Sequence, residues 1–140
     1  MAGRPSTAHE SQELRTAAGN DPRIRLYLGY VLSDDVQIYL NASDAMTLPF
    51  RDTVNSGSVR LGMSFGLCCI APRLGSRTET LGTGILYNST DPHGLRQELE
   101  LAADNKELLH ERAEATYARA RSVTWEDVGC RTYATYVGSK

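Results

Sequence analysis

The stretch Leu67-Cys-Cys-Ile-Ala71 is an unbroken apolar run that lies between Gly66 and Pro72. A strand that is apolar on both faces is typical of the interior of a parallel sheet, because crossover helices cover both faces of such a sheet. The run therefore predicts a central strand that is buried on both sides. Cys68 and Cys69 are predicted to be small core residues on opposite faces of that strand.

Strand and helix patterns alternate on either side of this run. Further strands are predicted at residues 23–28, 44–49 and 84–87, and helices at residues 6–19, 34–40 and 58–64, from residue 91, at about 106–121 and from residue 124. This alternation predicts an α/β fold, namely a Rossmann-like, doubly wound parallel sheet with helices on both faces.

Several helix starts carry side chains that favour the first turn. Ser33 and Asp91 are the predicted N-caps of two helices, and Pro92 is expected at the first helical position of the second. Thr124 and Asp127 have the spacing of a capping box, so the last helix is predicted to begin there.

Length, charge and cysteine content exclude several classes of protein. The chain has 140 residues, which predicts one domain. Fifteen Lys and Arg residues stand against seventeen Asp and Glu residues, and the resulting net charge of −2 disfavours a protein that binds nucleic-acid backbone. No apolar run is long enough to cross a bilayer. Three cysteines without a disulfide framework indicate a cytoplasmic chain, and the three histidines lack metal-ligand spacing, so no metal is expected.

The loops that follow predicted strands are the expected ligand sites, since ligands bind parallel sheets beyond the carboxyl ends of the strands. Three loops qualify, at residues 29–33, 50–58 and 72–79. The second places Asn55, Ser56, Gly57 and Ser58 at a helix start, where free N–H groups and the helix dipole favour a phosphate or diphosphate. Ordinary helix capping by these residues is the alternative, because Ser and Asn cap many helices.

Five segments of the chain, taken in order, resemble GT-B glycosyltransferases of the group-1, family-4-like kind. They are residues 21–31, residues 39–50, the glycine-rich segment of residues 61–79, the Gly84-Ile-Leu-Tyr-Asn88 step before Asp91-Pro92, and the Ser122-Val-Thr-Trp125 entry to the last helix. Together they extend over residues 2 to about 137. The resemblance implies the C-terminal, donor-binding domain of such an enzyme.

The same resemblance implies roles for residues in each loop. Gly29, Tyr30 and Val31 would bind the donor base and ribose; Arg51, Asn55, Ser56, Gly57 and Ser58 would bind the donor diphosphate; and Gly75, Ser76, Arg77 and Glu79 would line the neighbouring loop. Residues 51–57 fit an R-D-x-x-x-S-G form of the loop, in which Asp52 is the only acid and the candidate catalytic group. The nucleotide sugar is a substrate, and no cofactor is implied.

A hexosyltransferase-type reaction is the implied activity, with the acceptor held by an absent N-terminal domain. Residues 1–5 resemble the end of a second strand, so the resemblance implies an N-terminally truncated domain without its first strand and helix. A sheet edge exposed in this way favours homo-oligomers. An acceptor-domain polypeptide is a further expected partner, through which the chain could lie at a membrane. The alternatives are a non-catalytic nucleotide-binding or interaction module, or a remnant fragment that acts only with a partner chain.

Overall fold

The computed structural model describes residues 1–50, 57–74 and 83–138. The chain divides into two compact units, Met1–Ala42 and Ser43–Lys140. The described residues form six helices and three strands. In chain order these are α1 (Ala8–Ala18), α2 (Ser33–Asn41), β1 (Ala45–Thr47), α3 (Gly57–Ser64), β2 (Cys68–Pro72), β3 (Ile85–Tyr87), α4 (Gly94–Asp104), α5 (Lys106–Arg121) and α6 (Trp125–Val137).

Helix α1 of the first unit is a surface helix with well-formed ends. The Thr7 side chain accepts a hydrogen bond from the N–H of Glu10, and the Glu10 carboxylate accepts one from the N–H of Thr7. Gly19 follows the helix with φ 55°, a left-handed conformation that glycine adopts without strain. The prediction of a surface helix that ends at Gly19 is therefore confirmed, and the helix buries no residue.

The prediction of a strand at residues 23–28 is wrong, because the structure has only an isolated bridge there. One parallel bridge joins Ala2 and Tyr27. The N–H of Tyr27 donates to the carbonyl of Met1 (2.9 Å), and the N–H of Gly3 donates to the carbonyl of Tyr27 (3.1 Å). Alternating polarity favours an extended backbone, but a strand also requires a partner of comparable length, and the partner here pairs at a single position.

Helix α2 begins one position differently from its prediction. Its N-cap is Leu32, which makes no side-chain capping bond, so the prediction that Ser33 caps the helix is wrong. Ser33 is the first helical residue instead. On the inner side of the helix, the ring of Tyr39 packs edge-on against the ring of Tyr27, with 5.5 Å between their centroids.

The second unit is built on a parallel sheet with strand order β1-β2-β3. Met46 lies opposite Cys69 in the β1–β2 pair, and Ile70 lies opposite Ile85 in the β2–β3 pair. All five residues of β2 are buried. The central, doubly buried strand predicted from the apolar run is confirmed, but it lies one residue further along the chain, since it includes Pro72 and not Leu67.

Alternate residues of β2 point into two separate cores. On one face, Cys69 and Ala71 pack with Val59 and Met63 of α3. On the other face, Cys68 and Ile70 pack with residues of α4 and α5; these are Ala102, Leu95, Leu109 and Ala113. Helices cover both faces of the sheet, as predicted. Helix α5 contributes to both cores, because Ala120 near its end packs on the α3 side.

Helix α3 lies close against the sheet at Gly62. A Cβ atom at this position would be 2.8 Å from the Sγ atom of Cys69 and 2.8 Å from the Sδ atom of Met46. Real Cβ atoms do not approach other heavy atoms this closely. The absence of a side chain at Gly62 therefore sets the distance between α3 and the strands β1 and β2.

The two other predicted caps, at the starts of α4 and α6, give opposite outcomes. The capping box of α6 is confirmed, since the N–H of Asp127 donates to Thr124 Oγ1 (3.1 Å) and the Asp127 carboxylate accepts from the N–H of Thr124 (3.3 Å). The predicted start of α4 at Asp91 and Pro92 is wrong, because α4 begins at Gly94. No helix within the described residues is long and apolar enough to cross a membrane.

Replacing Gly62 with alanine is expected to destabilise the second unit. The added methyl group would collide with two sulfur atoms, and overpacking of this kind costs about 1–3 kcal/mol. Urea denaturation followed by circular dichroism measures the change. Gly129→Ala is the matched control, because a Cβ atom there meets nothing within 4 Å; a helical alanine at that position should stabilise by up to about 1 kcal/mol. Equal stability of Gly62→Ala and the wild-type protein would contradict the close approach.

Candidate functional site

The topology of the second unit places the first turn of α3 at the carboxyl edge of the sheet. Helix α3 connects β1 to β2, and its last residues adjoin the start of β2, where the N–H of Leu67 donates to the carbonyl of Gly62 (3.0 Å). Since β1 and β2 are parallel, the opposite end of α3 lies beyond their carboxyl ends. This is the edge at which open α/β sheets bind ligands.

The first turn of α3 has the features of an anion site. The N–H groups at the start of a helix have no partner within the helix, and the helix dipole adds partial positive charge there. Gly57 is exposed and Ser58 is half-buried. The turn holds no acidic residue, and the position of the missing Gly57 side chain is open space. Among the residues that the structure describes at this turn, none opposes a phosphate by its bulk or by negative charge.

Helix α2 begins less favourably for an anion. Asp34 and Asp35 occupy its first turn. Their carboxylates already complement the positive end of the helix dipole, and they would repel a phosphate. The loop before this helix is therefore better suited to an uncharged group.

Helix α4 is closed at its start by its own turn. Asn88 Oδ1 accepts from the N–H of Thr90 (3.0 Å), and Asp91 Oδ1 accepts from the N–H of His93 (2.8 Å). The N–H of Gly94 donates to the carbonyl of Asp91 (3.1 Å). A Cβ atom on Gly94 would lie 2.4 Å from the carbonyl oxygen of Asn88. The N–H of Gly94 is thus occupied and its backbone is tightly packed, which makes α3 the better anion site of the two.

Arg73 is a cation at the carboxyl edge that the sequence analysis did not select. It directly follows β2, and its N–H donates to the carbonyl of Tyr87 (2.9 Å), so β3 fixes its backbone. Its side chain is exposed. The ion pairs found among the described residues do not include Arg73. The sequence could have indicated Arg73, because it directly follows the predicted central strand. Arg77, further along the same loop, was predicted instead.

The predicted site residues fall into three groups. Gly57 and Ser58 lie together at the start of α3. In the first unit, Gly29 and Tyr30 are exposed and Val31 is half-buried, between the Tyr27 bridge and the start of α2. The others lie outside the described residues; they are Arg51, Asp52, Asn55, Ser56, Gly75, Ser76, Arg77 and Glu79.

The adjacent cysteines are core residues, as predicted. Burial raises the pKa of the Cys69 thiol to about 12, and the neighbouring Cys68 adds to the effect. Burial also raises the pKa of Cys68, an effect that the charge of Arg112 partly opposes. Protonated thiols are poor nucleophiles and poor metal ligands. Within the described part of the chain, no cluster of three His, Cys, Asp or Glu side chains is placed to hold a metal ion.

Comparison with known proteins identifies the fold. No family model matches the chain, and no curated protein matches it in sequence. Solved structures do match, and one of them is sucrose-phosphate synthase from Thermosynechococcus elongatus. The TM-score is 0.78 at 15% sequence identity, over 98% of this chain and 36% of that chain. The chain therefore spans about a third of the length of this neighbour, and its fold is glycosyltransferase-like.

Alkylation should distinguish the three cysteines of the folded chain. Iodoacetamide at about pH 8 is expected to modify only Cys130, which is exposed, because Cys68 and Cys69 are buried and remain protonated. Intact mass followed by peptide mapping measures the sites, and the same reaction in denaturant, where all three should react, is the control. Rapid modification of Cys68 or Cys69 in the folded protein would contradict a purely structural role.

Proposed function

We propose that this chain is the donor-binding part of a glycosyltransferase and that it binds the diphosphate of a nucleotide sugar at the start of α3. The acid-free first turn of α3, at the carboxyl edge of a parallel sheet, carries the proposal. The glycosyltransferase-like fold supports it. The start of α2 carries two acidic residues, and the start of α4 is tightly packed at Gly94, so both are less suited to an anion.

In this proposal, backbone N–H groups at Gly57 and Ser58 bind the diphosphate, together with the Ser58 hydroxyl. Arg51, Asn55 and Ser56 complete the site from the preceding loop, and Arg73 adds positive charge from the end of β2. As the glycosyl group leaves, negative charge grows on the diphosphate, and fixed donors that point at that charge lower the barrier. The chain's own contribution is therefore electrostatic stabilisation of the leaving group.

The loop at Gly29, Tyr30 and Val31 is proposed to contact the nucleotide base and ribose. Tyr30 is a large aromatic side chain that is exposed in this loop. Aromatic rings stack on bases of every kind. The exposed backbone of Gly29, with no atom within 4 Å of its missing Cβ, leaves room for a ligand to approach.

Transfer of the sugar requires an acceptor as well as a donor. The chain matches about a third of the sucrose-phosphate synthase chain. We assign the acceptor to a separate domain or polypeptide, with a hexosyltransferase-type reaction carried out by the two together. A non-catalytic nucleotide-binding module is the second candidate, because the first turn of α3 holds no carboxylate that could act as a general acid or base. An assay of nucleotide-sugar hydrolysis or transfer by the chain together with an acceptor domain distinguishes the two candidates. Activity supports the glycosyltransferase, and nucleotide binding without activity supports the module.

Titration calorimetry with UDP, GDP and ADP tests the diphosphate site. At least one nucleotide should bind, and Ser58→Asp should weaken binding at least about tenfold, because it places a carboxylate in the first turn of α3. Arg73→Gln should weaken binding by a smaller factor. Ser64→Asp, the same change at the exposed far end of the helix, is the matched control. Absence of binding, or equal affinity in Ser58→Asp and Ser64→Asp, would refute the site.

Comparing a nucleotide with inorganic diphosphate tests the proposed base contact and the proposed diphosphate contact independently. Tyr30→Ala should weaken binding of the nucleoside diphosphate about 5- to 100-fold, as expected when base stacking is lost, and should leave binding of inorganic diphosphate unchanged. Ser58→Asp should weaken both ligands. Equal losses for both ligands in Tyr30→Ala would show that this loop does not contact the base.

A further inference from the structure

Helix α6 is the one helix of the described chain whose side chains are all exposed. Every residue from Trp125 to Val137 is exposed, and Trp125 is 90% exposed. Each of the other described helices places some side chains against a neighbour, and α5, for example, buries Thr116 completely. Most of the stability of a helix in a protein comes from such packing. Helix α6 therefore lacks the contribution that holds the other helices.

The start of α6 lies beside α3 and the end of α5 without packing closely on them. An open groove of about 590 Å³ is lined by Met63 of α3 and Ala120 of α5, and by Trp125 and Val128 of α6. A gap between apolar side chains loses the dispersion contacts that close packing would supply. The close contacts among the described elements of the second unit join α3, α4, α5 and the strands, and α6 has no comparable contact with any of them.

The capping of α6 is local to the helix. Thr124 and Asp127 form its capping box, and Thr135 Oγ1 donates a hydrogen bond to the carbonyl of Arg131 (2.9 Å). None of the ion pairs found among the described residues involves α6. These local bonds favour the helix over the coil, but they do not tie it to the sheet.

The amino-acid sequence of α6 is also a poor helix former. The helix has thirteen residues, and isolated helices of about 12–15 residues are marginal in water even when they are rich in alanine. Glycine, β-branched and aromatic residues favour a helix less than Ala, Leu, Glu or Arg. Residues of these three kinds make up most of α6; they are Trp125, Val128, Gly129, Thr132, Tyr133, Thr135, Tyr136 and Val137. Intrinsic propensity therefore does not replace the missing packing.

We propose that α6 is an independently unfolding helix, which opens and closes while the parallel sheet and the helices packed on it stay folded. Opening breaks the helical hydrogen bonds of α6 but takes no buried side chain out of a core. The two forms are therefore close in free energy, and both are populated in the native chain. In the closed form α6 supplies one wall of the groove, and in the open form Met63 and Ala120 border solvent directly.

Hydrogen exchange of the full chain, followed residue by residue by NMR, tests the proposal. Amides in the middle of α6 should be at least about 100-fold less protected than those of β2, which exchange only when the whole unit opens. Gly129→Ala should raise the protection of α6 by up to about fivefold, because alanine favours a helix over glycine by that factor. Gly62→Ala strains the contact of α3 with the sheet, so it should lower the protection of β2 and leave that of α6 unchanged.

Limited digestion of the folded wild-type chain with chymotrypsin gives an independent measurement. The protease cleaves after aromatic residues, and a helix must open locally before it can be cut. Cleavage is expected at Tyr133 and Tyr136. Tyr117 is the matched control, because it is an exposed tyrosine on the packed helix α5 and should stay intact. After thermal unfolding, all three sites should be cleaved.

Equal protection of the amides of α6 and α5 would overturn the proposal. An equal loss of protection in α6 and β2 in the Gly62→Ala variant would do the same, because it would show that α6 opens only with the sheet. Cleavage at Tyr117 as fast as at Tyr133 in the folded chain would lead to the same conclusion without any variant.

Discussion

Burial of β2 on both faces is the constraint on which the second unit depends. Side chains from Cys68 to Ala71 alternate between two cores, so each helix layer is held by the same five-residue strand. The side chains of β2 that face α3 are small, namely those of Cys69 and Ala71. Because Gly62 has no side chain either, α3 packs close to β1 and β2. The position of the α3 first turn, and hence of the proposed anion site, follows from this contact.

Local patterns predicted the parts of the fold that local chemistry decides. The apolar run predicted β2, and the Thr124–Asp127 pair predicted the start of α6. The segment at residues 23–28 shows the limit of such patterns, because alternation says nothing about the length of the pairing partner. At α4, the Asp91 carboxylate accepts from the N–H of His93, as an N-cap side chain does, but a turn follows and the helix begins only at Gly94.

The candidate site was predictable in part for the same reason. Glycine and serine at a helix start indicate available donors wherever they occur, so Gly57 and Ser58 could be selected from the sequence. Two other observations needed the three-dimensional structure. Arg73 is held at the carboxyl edge by a carbonyl of β3, fourteen residues further along the chain. Side chains of the turn before α4 accept from the N–H groups of Thr90 and His93, and the N–H of Gly94 donates to the carbonyl of Asp91, none of which the sequence indicated.

The central claim is that the start of α3 binds the diphosphate of a nucleotide. Amide chemical-shift mapping of the ¹⁵N-labelled chain with UDP, GDP or ADP tests it most directly. The largest shifts are predicted at the amides of Gly57 and Ser58. Shifts confined to α5 and α6, or none with any of the three nucleotides, would contradict it.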